Sequence, residues 1–420
     1  MDKFVIQGPN VLKGKVKVEG SKNAALPIIA GALLIDRGET VLKNIPPLRD
    51  IFTLKSVLEY LGVEVSYDEK AQVMTINARE LAGNVAPYDL MRQMRASFLV
   101  LGPLLARLGE AKISLPGGCS LGARPVDFHI KGFMNLGAKV SEKSGYIIAR
   151  GKPLKGGVIY FDRPSHTGTE NILFGAVFAK GKTQIINAAC DPEIVDVANF
   201  LTKAGAKIHG VGTPNITIEP VKRLKPVEYT VSGDRLVAGT FMIGAAITGG
   251  KVEISGFDPN HLTMVNRKLM EMGCTIQTAR RSITVKGPKK PAPVEVTTFP
   301  YPGFPTDLQA CIMAASCIST GTSHIKETVF IDRFSHAMEL RRLGAEIAVM
   351  SSEAAVTGIK ELRGAEVMAP DIRAGAGITL ACLAALGKSE VLRVYHIDRG
   401  YYRLEEKLAA LGANIARAKM

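Results

Sequence analysis

The chain has 420 residues, 46% hydrophobic and 22% charged, long enough for two or three domains and too apolar for a disordered polymer. Its 53 Lys and Arg outnumber 39 Asp and Glu, giving a net charge of +14, which suits nucleic acid, an anionic membrane or small polyanionic substrates. The excess is dispersed without a long basic run, aromatics are 6% and Trp is absent, so a nucleic-acid surface of clustered cations and stacking rings is not expected.

Residues 1–20 read as a strand-like lead-in that could close onto either domain. The apolar stretch AALPIIAGALLI (24–35) is too short to cross a bilayer and carries Pro and Gly. The first residues lack a signal-peptide layout. Six cysteines are scattered with no CxxC pair and no metal-ligand spacing to His. A cytoplasmic protein with reduced thiols, no membrane partner and no metal is expected.

From there the chain alternates two units, each met six times. The first is an apolar helix, a glycine and a β-rich strand, as in GALLIDRGETVLKNI (31–45) and GPLLARLGEAKISLP (102–116). Its pivotal glycines are Gly38, Gly109, Gly181, Gly250, Gly321 and Gly387, spaced by 71, 72, 69, 71 and 66 residues. The second is an amphipathic helix stopped by glycine. Its apolar slots are Ile51, Leu54, Leu58 and Leu61 before Gly62, with matching sets before Gly205, Gly273 and Gly412. The copies ending at Gly137 and Gly344 admit His129, Arg333 and His336 into those slots. Each period of roughly 70 residues thus holds two helices and several strands, a repeat architecture. The first helix type is apolar all round and should be buried; the second should keep one wet face. Six units are too many for one core. Two α/β domains of three units each are expected, 21–230 and 231–420, parted where RLKPVEYTVSGD leaves the third unit.

The helix entrances carry the candidate chemistry. Before the buried helices stand Lys22-Asn23, Arg92 and Arg95, Ser165 to Thr169, Asp234-Arg235, Thr306-Asp307, and Asp371 with Arg373. Arg95, Asp307 and Arg373 each lie 14 residues before their pivotal glycine, so they are equivalent positions. Before the amphipathic helices stand Arg49-Asp50, Arg124-Pro125, Asp332-Arg333 and Asp398-Arg399. A cation at a helix N-terminus opposes the dipole unless an anion sits between. Two readings stand: each Asp or Ser caps and each Arg pairs with a neighbouring Asp, or the entrances gather a polyanionic small molecule.

Cys311, Cys317 and Cys382 fall on apolar helices and read as core. Cys119 sits in LPGGCSLGARP (115–125), five residues from Arg124. The glycines fit a plain turn as well as an accessible, mobile loop holding a reactive thiol beside a cation.

The stretch LPGGCSLGARPVDFH resembles the catalytic loop of the enolpyruvyl transferase family, in the branch that acts on UDP-N-acetylglucosamine. The likeness continues through GSKNAALP (20–27), MRAS (94–97), PEIVDVANFL (192–201), FPTDLQA (304–310), ETVFIDRF (327–334), DIRA (371–374) and YHIDRGY (395–401). It implies a two-domain inside-out α/β barrel, each domain three βαβαββ units around buried helices, with residues 1–20 joining the second domain and the active site in the cleft between. The implied reaction moves the enolpyruvyl group of phosphoenolpyruvate to the 3-hydroxyl of UDP-N-acetylglucosamine and releases phosphate. By the same resemblance Lys22, Asn23, Arg124 and Arg399 hold phosphoenolpyruvate, Cys119 protonates its methylene carbon and can also add covalently to the same substrate, and Asp307 accepts the sugar hydroxyl proton. The nucleotide sugar meets Asn23, Arg95, Arg124, Pro125, Val126, Asp127, Phe128, Arg163, Ser165, His166, Asp307 and Val329. Arg333, Asp371 and Arg373 are supporting charges. No cofactor is implied, because the enol substrate carries its own activation.

Two departures stand out. The family's nucleotide-contacting segment commonly reads Lys-x-Ser-Val-Gly-Ala-Thr, whereas this chain has RPSHTGTEN (163–171), with His166 and Thr167 for Val and Gly. After SGDR (232–235) the family often carries an acid where this chain has Val237. The rival readings are a sister enzyme acting on shikimate 3-phosphate, which typically lacks the glycine-flanked cysteine with GARP, and a basic repeat scaffold that binds RNA.

Overall fold

A computed structural model of the chain describes residues 2–92, 94–115 and 126–420, and the backbone alone of Arg95. Its described residues cluster into two compact bodies: body I holds 20–115 and 126–232, and body II holds 2–19 and 233–420.

Each body carries three four-stranded sheets of one pattern, a parallel pair at one edge followed by two antiparallel pairings. In body I, Glu228–Thr230 runs parallel to Thr40–Lys43, which pairs antiparallel with Val73–Asn77, itself antiparallel to Glu64–Asp68. In body II the chain's first residues complete two sheets. Lys13–Lys17 lies parallel to Lys251–Ser255. Asp2–Gly8 fills an inner position between Gly387–Leu392 and Ile415–Lys419, in register Phe4↔Val391 and Phe4↔Arg417. Alternation along that strand buries Phe4 and Ile6 completely.

The apolar helices form the centres. All thirteen residues of Arg235–Ile247 and all eight of Gln309–Ser316 are buried, and these two helices pack on one another and on Ile372–Ala384. In body I, Leu101–Leu108 packs on His166–Ala176 and Lys22–Gly31 on Pro192–Lys203. The sheets cover these centres with one face and leave the other wet, so an inside-out α/β barrel in two domains is the architecture.

The amphipathic helices follow the expected stripes, with Ile51, Leu54 and Leu58 all at 0% exposure. Their six stop glycines, Gly62, Gly137, Gly205, Gly273, Gly344 and Gly412, all take φ between +87° and +107°, the left-handed position that ends a helix. Gly250 serves another purpose: a Cβ there would stand 2.0 Å from the Leu12 carbonyl oxygen, so it lets the lead-in lie against the strand it flanks. Two helices start later than their stripes: Arg333 stands before the helix His336–Arg342, and Tyr401 before Leu404–Ala410, where Arg403 is left-handed at φ 47°.

Candidate functional site

In body II the site residues meet on Asp307. This residue sits in the short 3-10 turn Thr306–Leu308 that opens the helix Gln309–Ser316. Its Oδ1 lies 2.8 Å from Arg333 Nη1 and its Oδ2 3.1 Å from Arg373 Nε. Both arginine side chains are 5% exposed while the carboxylate is 24% exposed, so the acid is held from behind and reachable from in front. Arg373 is positioned by Asp371, whose carboxylate caps the helix Ile372–Ala384 by accepting from the Arg373 and Ala374 N–H groups. Its guanidinium carbon stands 5.2 Å from the centre of the Tyr401 ring, and the Tyr401 hydroxyl meets Thr240 at 2.9 Å. Two buried guanidiniums at one helix entrance suit an anionic group. The same pairings fix both carboxylate oxygens, which suits Asp307 to orienting a hydroxyl.

Sequence reasoning missed the residue that shapes this entrance. Glu327, 1% exposed, accepts from the Thr298 and Thr306 hydroxyls at 2.7 and 2.9 Å and from the Val329 and Phe330 N–H groups at 2.8 and 2.9 Å. It ties the turn before Asp307 to the segment carrying half-buried Val329. An acid closing the strand Thr322–Lys326 was the available signal.

In body I, Lys22 begins the helix Lys22–Gly31, capped by the Ser21 hydroxyl. Its ammonium lies 2.6 Å from the Asp50 carboxylate, with side chains 9% and 4% exposed. Asn23, next along, is half-buried. Lys22, Arg333 and Arg373 therefore each pair with an aspartate, but with a distant one, Asp50 or Asp307, and not with the neighbouring aspartate that the sequence offered. Asp398 instead pairs with Arg417 at 2.6 Å, and Arg399 closes the 3-10 turn Val394–Arg399, half-buried.

The second entrance of body I joins two segments. Val126 precedes the helix Asp127–Asn135. Phe128 packs edge-on against Phe161 at 5.6 Å, and the Arg163 guanidinium lies 5.7 Å from the Phe128 ring centre. Ser165 caps the helix His166–Ala176 by accepting from Gly168 N–H. Gly168 is required for this, since a Cβ would stand 2.6 Å from the Ser165 hydroxyl oxygen. His166 Nδ1 faces Glu170 Oε1 at 3.3 Å. Burial opposes a charged imidazole here, but Glu170, with Asp191 and Glu193 beyond it, outweighs burial and lifts its pKa to about 10. Glu170 is raised chiefly by its own burial. Glu170 was a second miss; an acid at the head of an apolar, buried helix was the signal.

The histidines in apolar slots divide. His129 has its Nδ1 3.0 Å from the Asn171 amide and its Nε2 3.3 Å from the Thr167 hydroxyl. His336, 1% exposed, has no hydrogen-bond partner among the described residues, and burial pulls its pKa down to about 4. Burial pushes the Cys274, Cys311, Cys317 and Cys382 thiols up to about 12, and raises Cys190 with help from Asp191. These five are poor nucleophiles. Cys119, Arg124 and Pro125 lie outside the described residues, as does the Arg95 side chain.

Residues 6–408 match the model of the EPSP synthase (3-phosphoshikimate 1-carboxyvinyltransferase) family. The chain is 49% identical to a UDP-N-acetylglucosamine 1-carboxyvinyltransferase from Myxococcus xanthus, over 100% of both chains. It is 50% identical to a UDP-N-acetylglucosamine 1-carboxyvinyltransferase 1 from Caldanaerobacter subterraneus, over 99% of both. Among solved structures, the enolpyruvyl transferase NikO from Streptomyces tendae superposes with a TM-score of 0.89 at 23% identity, over 99% of this chain and 98% of that one. EPSP synthase from Acinetobacter baumannii gives 0.78 at 20% identity over 100% of both. Both likenesses are of fold.

Proposed function

This chain belongs to the EPSP synthase family of enolpyruvyl transferases, and from that membership we propose that it transfers the enolpyruvyl group of phosphoenolpyruvate to the 3-hydroxyl of UDP-N-acetylglucosamine, releasing phosphate, the committing step of peptidoglycan synthesis. The observation that carries this reading is identity near one half, along the whole chain, with carboxyvinyltransferases named for that acceptor.

The reaction is an addition followed by an elimination. The sugar oxygen bonds to the central carbon of the enol while the methylene carbon gains a proton. That carbon then loses a proton as the bond to phosphate breaks. Cys119 supplies the proton to the methylene carbon, or adds its sulfur to the central carbon of the enol, and Asp307 accepts the hydroxyl proton. Arg333 and Arg373 fix the Asp307 carboxylate, so alignment of the hydroxyl is its larger contribution. Lys22, Asn23, Arg124 and Arg399 hold phosphoenolpyruvate. The nucleotide sugar is contacted by Asn23, Arg95, Arg124 to Phe128, Arg163, Ser165, His166, Asp307 and Val329. Arg333, Arg373 and the capping Asp371 fix the charge around them.

Phosphate release with each acceptor, paired with mass spectrometry of the product, tests this. Carboxyvinylated UDP-N-acetylglucosamine is expected; turnover with shikimate 3-phosphate alone would transfer the chain to the sister activity. An epoxide phosphonate such as fosfomycin should label Cys119 in the wild type and not in Cys119→Ser. Labelling at Cys190 would remove Cys119 from its role.

A further inference from the structure

Glu327 buries a carboxylate where the fold alone could use an amide. Its Oε1 accepts from the Thr298 hydroxyl and from the Val329 and Phe330 N–H groups, while its Oε2 accepts from the Thr306 hydroxyl at 2.9 Å. A glutamine in its place would keep the first three bonds at its one carbonyl oxygen and would bury no charge. It could not accept from Thr306, because its other head-group atom is an NH2 donor.

The direction of that one bond carries through to Asp307. Thr306 Oγ1 gives its hydrogen to Glu327, so it offers only lone pairs to Arg333, whose Nη1 lies 3.0 Å away. The same Nη1 reaches Asp307 Oδ1 at 2.8 Å. A guanidinium Nη1 has two hydrogens, enough for one to Thr306 and one to Asp307. Glu327 also holds Arg333 from a second side. It fixes the Phe330 N–H, and the Arg333 guanidinium carbon stands 5.6 Å from the centre of the Phe330 ring. One buried acid thus braces twice the guanidinium that orients Asp307.

We infer that Glu327 is a positioning residue for enolpyruvyl transfer, acting through the Thr306 hydroxyl and the Arg333 guanidinium to hold the Asp307 carboxylate against the acceptor hydroxyl. This rests on the role given to Asp307 in the proposed reaction. Glu327 touches neither substrate; it keeps Asp307 from turning as the hydroxyl arrives, and a misplacement of about an ångström costs a reaction roughly 10²-fold in rate. A glutamine at 327 would leave Thr306 Oγ1 facing two donors and its own hydrogen without this acceptor. The turn would keep its shape while the chain of bonds to Asp307 lost its direction.

The test measures kcat and both KM values by phosphate release from the full-length enzyme, with urea midpoints beside them. Wild-type turnover of UDP-N-acetylglucosamine reports on the reaction, and the ratio of variant to wild type reports on Glu327, so the two fail separately. Should the wild type accept only shikimate 3-phosphate, the same ratios are taken with that acceptor. Glu327→Gln and Thr306→Val should each lower kcat about 10–100-fold, with KM for phosphoenolpyruvate and the urea midpoint little changed. Thr306→Ser, which keeps the hydroxyl, should restore most of the rate lost in Thr306→Val. Combining Glu327→Gln with Thr306→Val should be no slower than the worse single variant, because both cut the same chain. Losses that multiply in the double variant would overturn the inference, as would a kcat near wild type in Thr306→Val. So would a rate loss in Glu327→Gln that follows a fall in its urea midpoint, which would leave Glu327 a brace of the fold.

Discussion

Two helix entrances of this protein surround their central group with charges of opposite sign. In body II, Asp307 is one carboxylate between two buried guanidiniums; in body I, His166 is one imidazole among three carboxylates. Both stand where the sixfold repeat opens a buried helix, so the backbone offers the same N–H groups and the same dipole at each. The repeat supplies the platform, and the side chains choose the sign. Positions 307 and 373 are equivalent in neighbouring repeats, and the fold brings them within 3.1 Å. A periodic chain that packs its helix entrances together turns sequence-equivalent residues into direct partners.

The sharpest test of this contrast removes the one carboxylate that the two guanidiniums share. Asp307→Asn keeps the shape and the acceptor oxygen but takes away that charge. Turnover should fall about 10²–10⁴-fold, with phosphoenolpyruvate binding little changed in equilibrium titrations. A kcat near the wild-type value would take Asp307 out of the chemistry. Body I has a buried pair of its own, Lys22 with Asp50. Lys22→Met should lower the unfolding free energy by about 3–5 kcal/mol, because an ionised carboxylate loses its buried ammonium. Urea unfolding reads this, and Lys22→Met with Asp50→Leu should recover most of it.

The repeat, its glycine stops, the buried helices and the candidate status of Lys22, Asp307 and Arg373 were all legible in sequence, because each is periodic or local. The pairing of charges was not. Sequence sets Asp332 beside Arg333, Asp371 near Arg373 and Asp398 beside Arg399, whereas the structure sends Arg333 and Arg373 to Asp307, gives Asp371 to a helix cap, and pairs Asp398 with Arg417. These contacts span 19 to 66 residues, and only the packing of repeats brings them together. Glu170 and Glu327 escaped for the same reason: each looks like an ordinary acid until its surroundings are known.

The histidines sharpen the contrast through pH. His336 lies near Arg333 and Asp371 in body II, and burial, with the Arg333 charge, outweighs Asp371 to hold its pKa at about 4 against 6.5 for the free side chain. The folded state thus binds fewer protons than the unfolded state below pH 6.5. Stability from this residue is intact above that value and falls as pH drops towards about 4, by roughly 3 kcal/mol in all. In His336→Leu the loss between pH 7 and pH 4.5 should be smaller by about that amount, read from urea midpoints. An unchanged acid limb would mean that the ring finds a proton acceptor when charged.

The smallest effect tests how the body I entrance holds its own cation. Arg163 keeps the positive charge that the family places in this segment, but here it lies over the Phe128 ring, and Phe128 is braced by Phe161. A cation over an aromatic face at an exposed site is worth about 0.5–1 kcal/mol. Arg163→Gln should therefore raise KM for the nucleotide sugar by about 2–5-fold and leave kcat unchanged. Arg163→Lys, which keeps charge but not the planar stack, should fall between. If Lys matches wild type, charge alone holds the nucleotide sugar; if it matches Gln, the ordered stack of three side chains does.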